Sequence, residues 1–479
     1  MAKNYVPVIG LEIHAQMSTK TKMFCRCDND SFNVAPNTNV CPICMGFPGQ
    51  LPVINDKAIE NGVLSALALN CEIPETSIFA RKNYFYPDLP KGFQISQYDE
   101  PLSVNGHMDI NVNGKKKRIR ITRLHLEDDA GKLVHVPGGS LCDYNRSGTP
   151  LMEVVTEPDI SSPEEASIFA REIQKVMRYV GSSDCDMEKG MMRFDVNVSV
   201  MEEGSKKLGT KTEAKNLNSF RALEKCLDYE IKRQIEILEG GFKVVHETRG
   251  WDDVKEITVS QRSKEEAHDY RYFPEPDLPP VKVTKKDVEK LRKMLPELPS
   301  ARHERFVGDY KMQEDDARIL TSDVELSQYF EEVVSACNDP AKAVSYVNSV
   351  LMAFLNEDQI AIEECKVKAK MLGELIKKVI NGEISNSVAK NEVFPEMYKT
   401  GKDSTEIIEE KGFKQVSDVS ELEAVCKKVL EENPQSIEDF KNGKDRAFGF
   451  LVGQVMKETK GQGNPKMVND ILRKLISGV

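Results

Sequence analysis

The chain has 479 residues, of which 40% are hydrophobic and 30% are charged, and its formal net charge is −11. This length exceeds what one hydrophobic core usually supports, so we expect two or three domains, and the acidic balance argues against unspecific coating of nucleic acid. The first residues, MAKNYVPVIG, lack the features of a secretory signal, and no apolar run is long enough to span a bilayer, so we expect a cytoplasmic protein without membrane contact.

The segment up to about residue 276 alternates short strand-like runs with Gly, Pro and Asn turns, a pattern typical of an α+β domain. Within VIGLEIHAQ, the two-residue period of a strand places Glu12 and His14 on one face. The same period puts His125 and Glu127 on one face of RLHLED, and it puts Asp195 on the polar face of RFDVNVSV. Several acidic and imidazole groups are therefore expected on polar strand faces.

Four cysteines lie close together in the sequence as Cys-x-Cys followed by Cys-Pro-Ile-Cys, at Cys25, Cys27, Cys41 and Cys44. This spacing predicts a tetrahedral zinc site, and four thiolate ligands leave no position for a substrate, so the metal would be structural. The alternative is a chance cluster of buried free cysteines. The total of eleven cysteines is odd and fits a reducing compartment better than a disulfide framework.

The segment RKNYFYPDLPKGFQISQY interleaves basic residues, among them Lys82, with aromatic ones, which suits contact with a nucleotide or RNA. An aromatic-rich turn that packs on the sheet explains the same pattern. No phosphate-binding G-x-x-x-x-G-K-[ST] motif, G-x-S-x-G nucleophile motif or H-E-x-x-H motif is present. Any chemistry on ATP would therefore need an unusual phosphate site.

Glu153 lies within the apolar run LMEVV, where an unpaired carboxylate would be costly to bury, so it requires a partner. Carboxylates combined with one imidazole are the hard ligands with which Mg²⁺ can be held while it keeps waters for a phosphate substrate. For each residue alone, a salt-bridged strand carboxylate is the simpler explanation.

Two helices of the first segment carry clear end signals. Ser162, Pro163 and Glu165 predict the start of one helix, and Gly181 predicts its end. A second apolar stripe begins at Phe220 and ends at two consecutive glycines. Before this second helix, the run GTKTEAKNLNSF places three charged side chains on one strand face, namely Lys211, Glu213 and Lys215. Asn216, Asn218 and Ser219 come next and could cap the following helix or meet a ligand. After PEPDLPP, the composition changes to Glu, Lys, Leu and Ala with helical spacing, which predicts an all-α region.

The motifs VIGLEIHAQ, RLHLEDDAGK, NRSGTPLMEVV, KTEAKNLNSF and DYRYFPEPDLPP, with GFLVGQVMK and KGQGNPKMV near the end, resemble those of the B subunits of bacterial tRNA-dependent amidotransferases. The resemblance covers nearly the whole chain. It implies an α+β fold in which an N-terminal cradle domain, residues 1–293, contains an antiparallel sheet and a zinc knuckle. Two all-α domains would follow, a helical domain over 294–405 and a helical tail over 406–479 that contacts tRNA.

The resemblance also implies an activity. The protein would use ATP and Mg²⁺ to phosphorylate the side-chain carboxylate of Glu-tRNA(Gln), Asp-tRNA(Asn) or both, and would then amidate it with ammonia. Because the sequence has no glutaminase signature, the ammonia would come from an amidase A subunit. A small C subunit would complete a heterotrimer, and the misacylated tRNA would be the substrate.

Residue by residue, the match to the family's motifs implies five catalytic residues, namely Glu12, His14, Glu127, Glu153 and Asp195. It implies that His14, Glu127 and Glu153 hold magnesium, and that ATP is contacted by Lys82, Lys211, Glu213 and Lys215. Basic residues of the tail would approach the tRNA backbone, namely Lys457, Lys460, Lys466, Arg473 and Lys474, although a solvated helix face would look the same.

Two other functions fit parts of this pattern. One is a noncatalytic, zinc-stabilised subunit that binds tRNA. The other is a free-standing ligase for a small carboxylate, for which the long helical tail has no evident use.

Overall fold

The structure of the protein is a computed structural model that describes residues 4–263, 267–413, 419–441, 444–459 and 465–477. It divides into two compact units, Met1–Pro299 and Ser300–Val479. The first unit contains all the strands of the described residues, and the second is helical. The predicted α+β fold, with a sheet domain followed by helical structure, is therefore confirmed.

The strands of the first unit form one large sheet and three small ones. Their bounds are β1 Tyr5–Gln16, β2 Thr76–Ser77, β3 Ala80–Asn83, β4 Phe93–Ser96, β5 Ser103–Val112, β6 Lys115–Asp128, β7 Lys132–Val136, β8 Gly139–Asp143, β9 Pro150–Thr156, β10 Met192–Glu202, β11 Thr212–Leu217, β12 Glu247–Asp252, β13 Ile257–Ser263, β14 Phe273–Pro274 and β15 Val281–Lys282. The eight-stranded sheet has the order β13-β12-β11-β10-β1-β9-β6-β5. All its neighbouring strands are antiparallel except β11 and β12, which run parallel.

Four α-helices belong to the first unit: α1 Asp56–Ala68, α2 Pro163–Val180, α3 Phe220–Glu239 and α4 Lys285–Arg292. The end signals of α2 act as predicted, because the Ser162 hydroxyl accepts from the Glu165 N–H and Gly181 ends the helix with a left-handed φ of 73°. Apolar side chains of α1, α2 and α3 join the sheet's own apolar residues in one core. One face of the sheet is therefore packed against the helices, and the alternate residues of each strand point to the opposite face.

The helices that follow have these bounds: α5 Pro299–Asp309, α6 Glu314–Leu320, α7 Val324–Cys337, α8 Pro340–Tyr346, α9 Met352–Asp358, α10 Ala369–Ile380, α11 Asn386–Val388, α12 Phe394–Thr400, α13 Ser404–Lys411, α14 Val419–Glu432, α15 Pro434–Lys441, α16 Asp445–Glu458 and α17 Pro465–Ser477. Their buried apolar residues form two separate cores, one from Phe306 to Ile408 and one from Leu422 to Ile476. In the part of the chain that the structure describes, no helix combines the length and apolarity needed to cross a bilayer.

Candidate catalytic site and metal centres

The polar face of the large sheet brings acidic and imidazole residues from distant parts of the chain into one row. In the register of β1 with its two neighbours, Glu12 lies opposite Asp195 and His14 lies opposite Glu153. Glu153 in turn lies opposite His125 of β6. Because directly opposed residues share a sheet face, four adjacent strands present these side chains together.

Glu153 receives the two partners that its apolar surroundings require. Its Oε2 atom lies 3.3 Å from His14 Nε2 and 3.2 Å from His125 Nε2. Burial raises the pKa of Glu153, but the two imidazoles outweigh burial and hold that pKa well below its usual range. Burial lowers the pKa of His14 and of His125, but the Glu153 carboxylate outweighs it and raises both pKa values.

The same carboxylate belongs to a group that fits a divalent cation. One ligand atom from each of His14, Glu127 and Glu153 can be chosen so that all lie within 4.8 Å of one another. His14 Nδ1 is buried and has no hydrogen-bond partner, which is costly unless a ligand completes the site. Two carboxylates and one imidazole are hard donors of the kind that suits Mg²⁺, so these three residues fit the predicted magnesium. The Ser96 hydroxyl orients Glu127 by donating to its Oε2 atom over 3.2 Å.

A second acidic cluster lies beside the first on β1, β10 and β11. Lys215 Nζ is 3.2 Å from Asp195 Oδ2 and 3.4 Å from Glu213 Oε1. Glu12 Oε1 accepts from Asn197 Nδ2 over 2.8 Å. Burial, together with the charges of Glu153 and the two other carboxylates, raises the pKa of Glu12. One ammonium thus faces three carboxylates, and the excess negative charge favours a bound cation or a proton on Glu12.

Residues of both clusters, though not Glu127, line a cavity of about 210 Å³ whose remaining wall is mostly aromatic and basic. Lys82 Nζ lies 4.9 Å from the centre of the Tyr270 ring, and the rings of Tyr98 and Tyr272 stack at 4.4 Å. Burial lowers the pKa of Lys82, but nearby Tyr272 and Glu127 outweigh it and raise that pKa well above its usual value. Glu213, Lys215 and Lys82, predicted as nucleotide contacts, all line the cavity, as do Glu12, His14, Glu153 and Asp195.

Two residues predicted for the catalytic site are not part of the cavity wall. Glu127 is buried, with its Oε2 atom 3.9 Å from His125 Nε2, whereas Lys211 is exposed and immediately precedes β11. Conversely, the sequence did not point individually to several cavity residues, among them Gln97, Tyr98, Thr248, Tyr270 and Tyr272. The mixture of basic and aromatic residues before Tyr98 was the available signal for that wall.

A buried cluster of charged residues around Asp129 lies at one end of the row of site residues. Asp129 accepts from Gln16 Nε2 over 3.0 Å, and its carboxylate lies 3.3 Å from Arg193 Nη1 and 3.6 Å from Arg146 Nε. Burial raises the pKa of Asp129, but the two guanidinium groups outweigh burial and lower that pKa. The stabilisation is therefore present above the unfolded-state pKa of about 3.9 and is lost as pH falls through the folded-state pKa.

We expect Asp129→Asn to reduce the free energy of unfolding by about 2 kcal/mol at pH 7, because two partly exposed arginines lose their common carboxylate. Chemical unfolding of both proteins at pH 7 and pH 3 measures this difference, which should narrow as pH falls below the unfolded-state pKa of about 3.9, because the Asp129 carboxylate is then protonated first in the unfolded chain. A difference that stays constant between the two pH values would contradict this role of the Asp129 charge.

The cysteine quartet forms a second, separate group of metal-ligating atoms. Each pair of sulfur atoms among Cys25, Cys27, Cys41 and Cys44 lies within 4.8 Å, and the Sγ atoms of Cys41 and Cys44 are 3.9 Å apart. Sulfur atoms about 3.8 Å apart are expected at the corners of a tetrahedron with Zn–S bonds of about 2.3 Å. A hydrogen bond from Cys25 and the Cys41 backbone N–H lower the pKa of Cys44 to about 5 despite its burial. The quartet therefore fits the predicted structural zinc.

The tail residues that were predicted to approach tRNA are only partly described. Arg473 places its guanidinium 4.7 Å from the ring centre of Phe448, so it packs within the tail's own helices. Lys460 lies outside the described residues, and so does the side chain of Lys466. The role of these residues stays a prediction.

Comparison with known proteins agrees with this fold and shows the family of the chain. The profile of the GatB/GatE catalytic domain matches residues 7–289, and the profile described as the GatB domain matches residues 328–476. The first match alone covers more than half of the chain and contains both groups of candidate metal ligands. The chain therefore belongs to the family of proteins with a GatB/GatE catalytic domain.

Curated relatives specify the branch of this family. The chain is 51% identical over 476 residues to the B subunit of the aspartyl/glutamyl-tRNA(Asn/Gln) amidotransferase of Carboxydothermus hydrogenoformans, and the match covers 98% of each chain. It is 51% identical to the corresponding B subunit of Persephonella marina over 98% of this chain and 99% of the relative. For the B subunit of Thermoanaerobacter pseudethanolicus the identity is 52%, over 99% of each chain. The predicted resemblance to amidotransferase B subunits is confirmed over the full length.

Proposed function

We propose that this protein is the ATP-dependent ligase subunit of an amidotransferase that converts Glu-tRNA(Gln), Asp-tRNA(Asn) or both to the corresponding amides. The observation that carries the proposal is the pair of acidic clusters in one cavity. The site combines a group of residues that fits Mg²⁺ with two lysine ammonium groups. The chain that carries it matches B subunits over nearly its whole length. Such a cavity suits a substrate with a polyphosphate and a carboxylate.

The reaction needs activation of the carboxylate. Ammonia cannot displace an oxide ion from a carboxylate, so one carboxylate oxygen first takes the γ-phosphoryl group of ATP, and ADP leaves. Ammonia then forms the C–N bond as the C–O bond to phosphate breaks, and one proton is lost from nitrogen. The products are the amide, ADP and inorganic phosphate, so atoms and charges balance.

We assign roles to the chain's own groups from their positions. His14, Glu127 and Glu153 would hold Mg²⁺, which would neutralise charge on the transferring phosphoryl group. The ammonium groups of Lys82 and Lys215 face the cavity and attract phosphate oxygens. Glu12 lines the same cavity, and burial with neighbouring carboxylates raises its pKa, so it is suited to take the proton released from ammonia.

The remaining parts of the assembly come from other chains. Each relative is named as the B subunit of its enzyme, which implies further subunits, and this sequence contains no nucleophile motif for glutamine hydrolysis. We propose an amidase A subunit as the ammonia source and a small C subunit as the third member of a cytoplasmic heterotrimer. In this proposal, residues 1–293 form the catalytic cradle, 294–405 a helical domain and 406–479 the tail that contacts tRNA.

The test is to incubate the purified complex with Glu-tRNA(Gln) or Asp-tRNA(Asn), ATP, Mg²⁺ and ammonium chloride in place of glutamine. We expect the amidated aminoacyl-tRNA and one ADP for each amide formed. Failure with both tRNAs would reject the ligase function. Full activity of both Glu127→Gln and Glu153→Gln, with tRNA still bound, would instead favour a noncatalytic tRNA-binding subunit.

A further inference from the structure

A buried lysine lies against the cysteine quartet, in a place that the proposed function does not use. The Lys22 side chain is fully buried, with an exposed fraction of 0%. Its Nζ atom donates to the Asn39 carbonyl oxygen over 2.9 Å and lies 3.9 Å from Cys44 Sγ. Among the described residues, no carboxylate forms an ion pair with it.

A buried ammonium without a counter-ion is costly, since a single carbonyl oxygen offers only a partial negative charge. The nearby sulfur supplies the missing anion if it is a thiolate. A Zn²⁺ ion with four thiolate ligands carries a net charge of −2, so the centre itself is an anion inside the protein. One lysine reduces the local charge to −1, and each buried group lowers the cost of burying the other.

The surroundings hold Lys22 in this position. Its backbone N–H donates to the Cys27 carbonyl over 3.0 Å, so the residue belongs to the turn that carries the first cysteine pair. The Asn39 backbone N–H, next to the lysine's carbonyl acceptor, donates to Asn145 Oδ1 over 2.8 Å. The Cys41 N–H also donates to Cys44 Sγ, over 3.2 Å, so Cys44 has one charged and one neutral donor.

We propose that Lys22 is the charge partner of the tetrathiolate zinc centre, and that its ammonium group stabilises the Cys44 thiolate and slows loss of the metal. This inference goes beyond the proposed function, because it concerns a residue that touches no part of the catalytic cavity. It also predicts that the buried ammonium group of Lys22 destabilises the folded protein once the metal is gone.

The first experiment measures zinc release from the purified complex. Wild-type protein, Lys22→Met and the control Lys20→Met are mixed with excess 4-(2-pyridylazo)resorcinol, whose absorbance reports free zinc. Lys20 is exposed and lies two positions away, so its substitution should leave the release rate unchanged. We expect release from Lys22→Met to be at least about 10-fold faster than from the wild type. Equal rates for Lys22→Met and the wild type, or wild-type protein purified without zinc, would overturn the proposal.

A second measurement works on the unmodified protein and so does not depend on folding of the variant. An acylating reagent for amines is applied before and after zinc is stripped, and mass spectrometry measures the modified fraction of Lys22. We expect protection with zinc bound and an increase of at least about 10-fold without it, while Lys20 reacts equally in both states. Equal modification of Lys22 in both states would refute the role. Neither measurement involves amide formation, so their failure is distinct from failure of the proposed function.

Discussion

Glu153→Gln is expected to lower the rate of amide formation by at least about 100-fold while the protein stays folded. The substitution keeps the size of the side chain but removes the negative charge that faces His14 and His125. Without that charge, the raised pKa values of both imidazoles should fall, which favours the neutral rings that burial tolerates. The magnesium group loses one of its two carboxylates, which should weaken metal binding as well as the reaction.

Single-turnover amidation with radiolabelled Glu-tRNA(Gln) and ammonium chloride measures the effect over a range of Mg²⁺ concentrations. The matched control is Glu157→Gln, because Glu157 lies just beyond the same strand and accepts from the Thr122 hydroxyl over 2.8 Å, outside the cavity wall. It should retain the wild-type rate. A Glu153→Gln protein that amidates at the normal rate at every Mg²⁺ concentration would remove this carboxylate from the mechanism.

Cys41→Ser is expected to destabilise the first compact unit by about 4 kcal/mol or more, because a structural zinc centre contributes directly to folding. Among the described residues, no helix or strand lies between Gln16 and Asp56, so a bound metal would cross-link a long segment without regular secondary structure. Denaturant unfolding and the zinc content of the purified protein measure the loss. Cys142→Ser is the control, since Cys142 is equally partly exposed but outside the quartet.

Cys41→Ser and Glu127→Gln together distinguish a structural role from a catalytic role. Any Cys41→Ser protein that does fold should keep its phosphoryl-transfer activity, whereas Glu127→Gln should lose amidation with the fold intact. Loss of phosphoryl transfer in a fully folded Cys41→Ser protein would show that the zinc centre takes part in the reaction and would contradict this division.

Local signals in the sequence were sufficient for individual elements. The alternation of RFDVNVSV predicts β10, and the serine, proline and glycine signals predict both ends of α2. The cysteine spacing predicts a metal centre because all four ligands lie in one short segment. In these cases neighbouring residues determine the structure, so the pattern can be interpreted without knowledge of the whole fold.

The cavity depends on contacts between distant segments, which local patterns do not contain. Strand period predicted which face His14 and His125 occupy, but only the register of β9 between β1 and β6 places Glu153 between them. Similarly, Tyr98 and Tyr272 come from segments far apart in the chain and meet only in the folded unit. Lys211 shows that a local pattern can also extend too far. In the sequence it alternates with Glu213 and Lys215 as in a strand, but β11 begins only at Thr212, so Lys211 does not belong to the strand face.

Activation of the carboxylate by phosphorylation in this cavity can be tested with oxygen isotopes. Glu-tRNA(Gln) with ¹⁸O in both side-chain carboxylate oxygens is amidated by the complex in ordinary water with ATP, Mg²⁺ and ammonium chloride, and the inorganic phosphate is analysed by mass spectrometry. The mechanism predicts one ¹⁸O atom in the phosphate for each amide formed. Phosphate without ¹⁸O, released while amide accumulates, would contradict it.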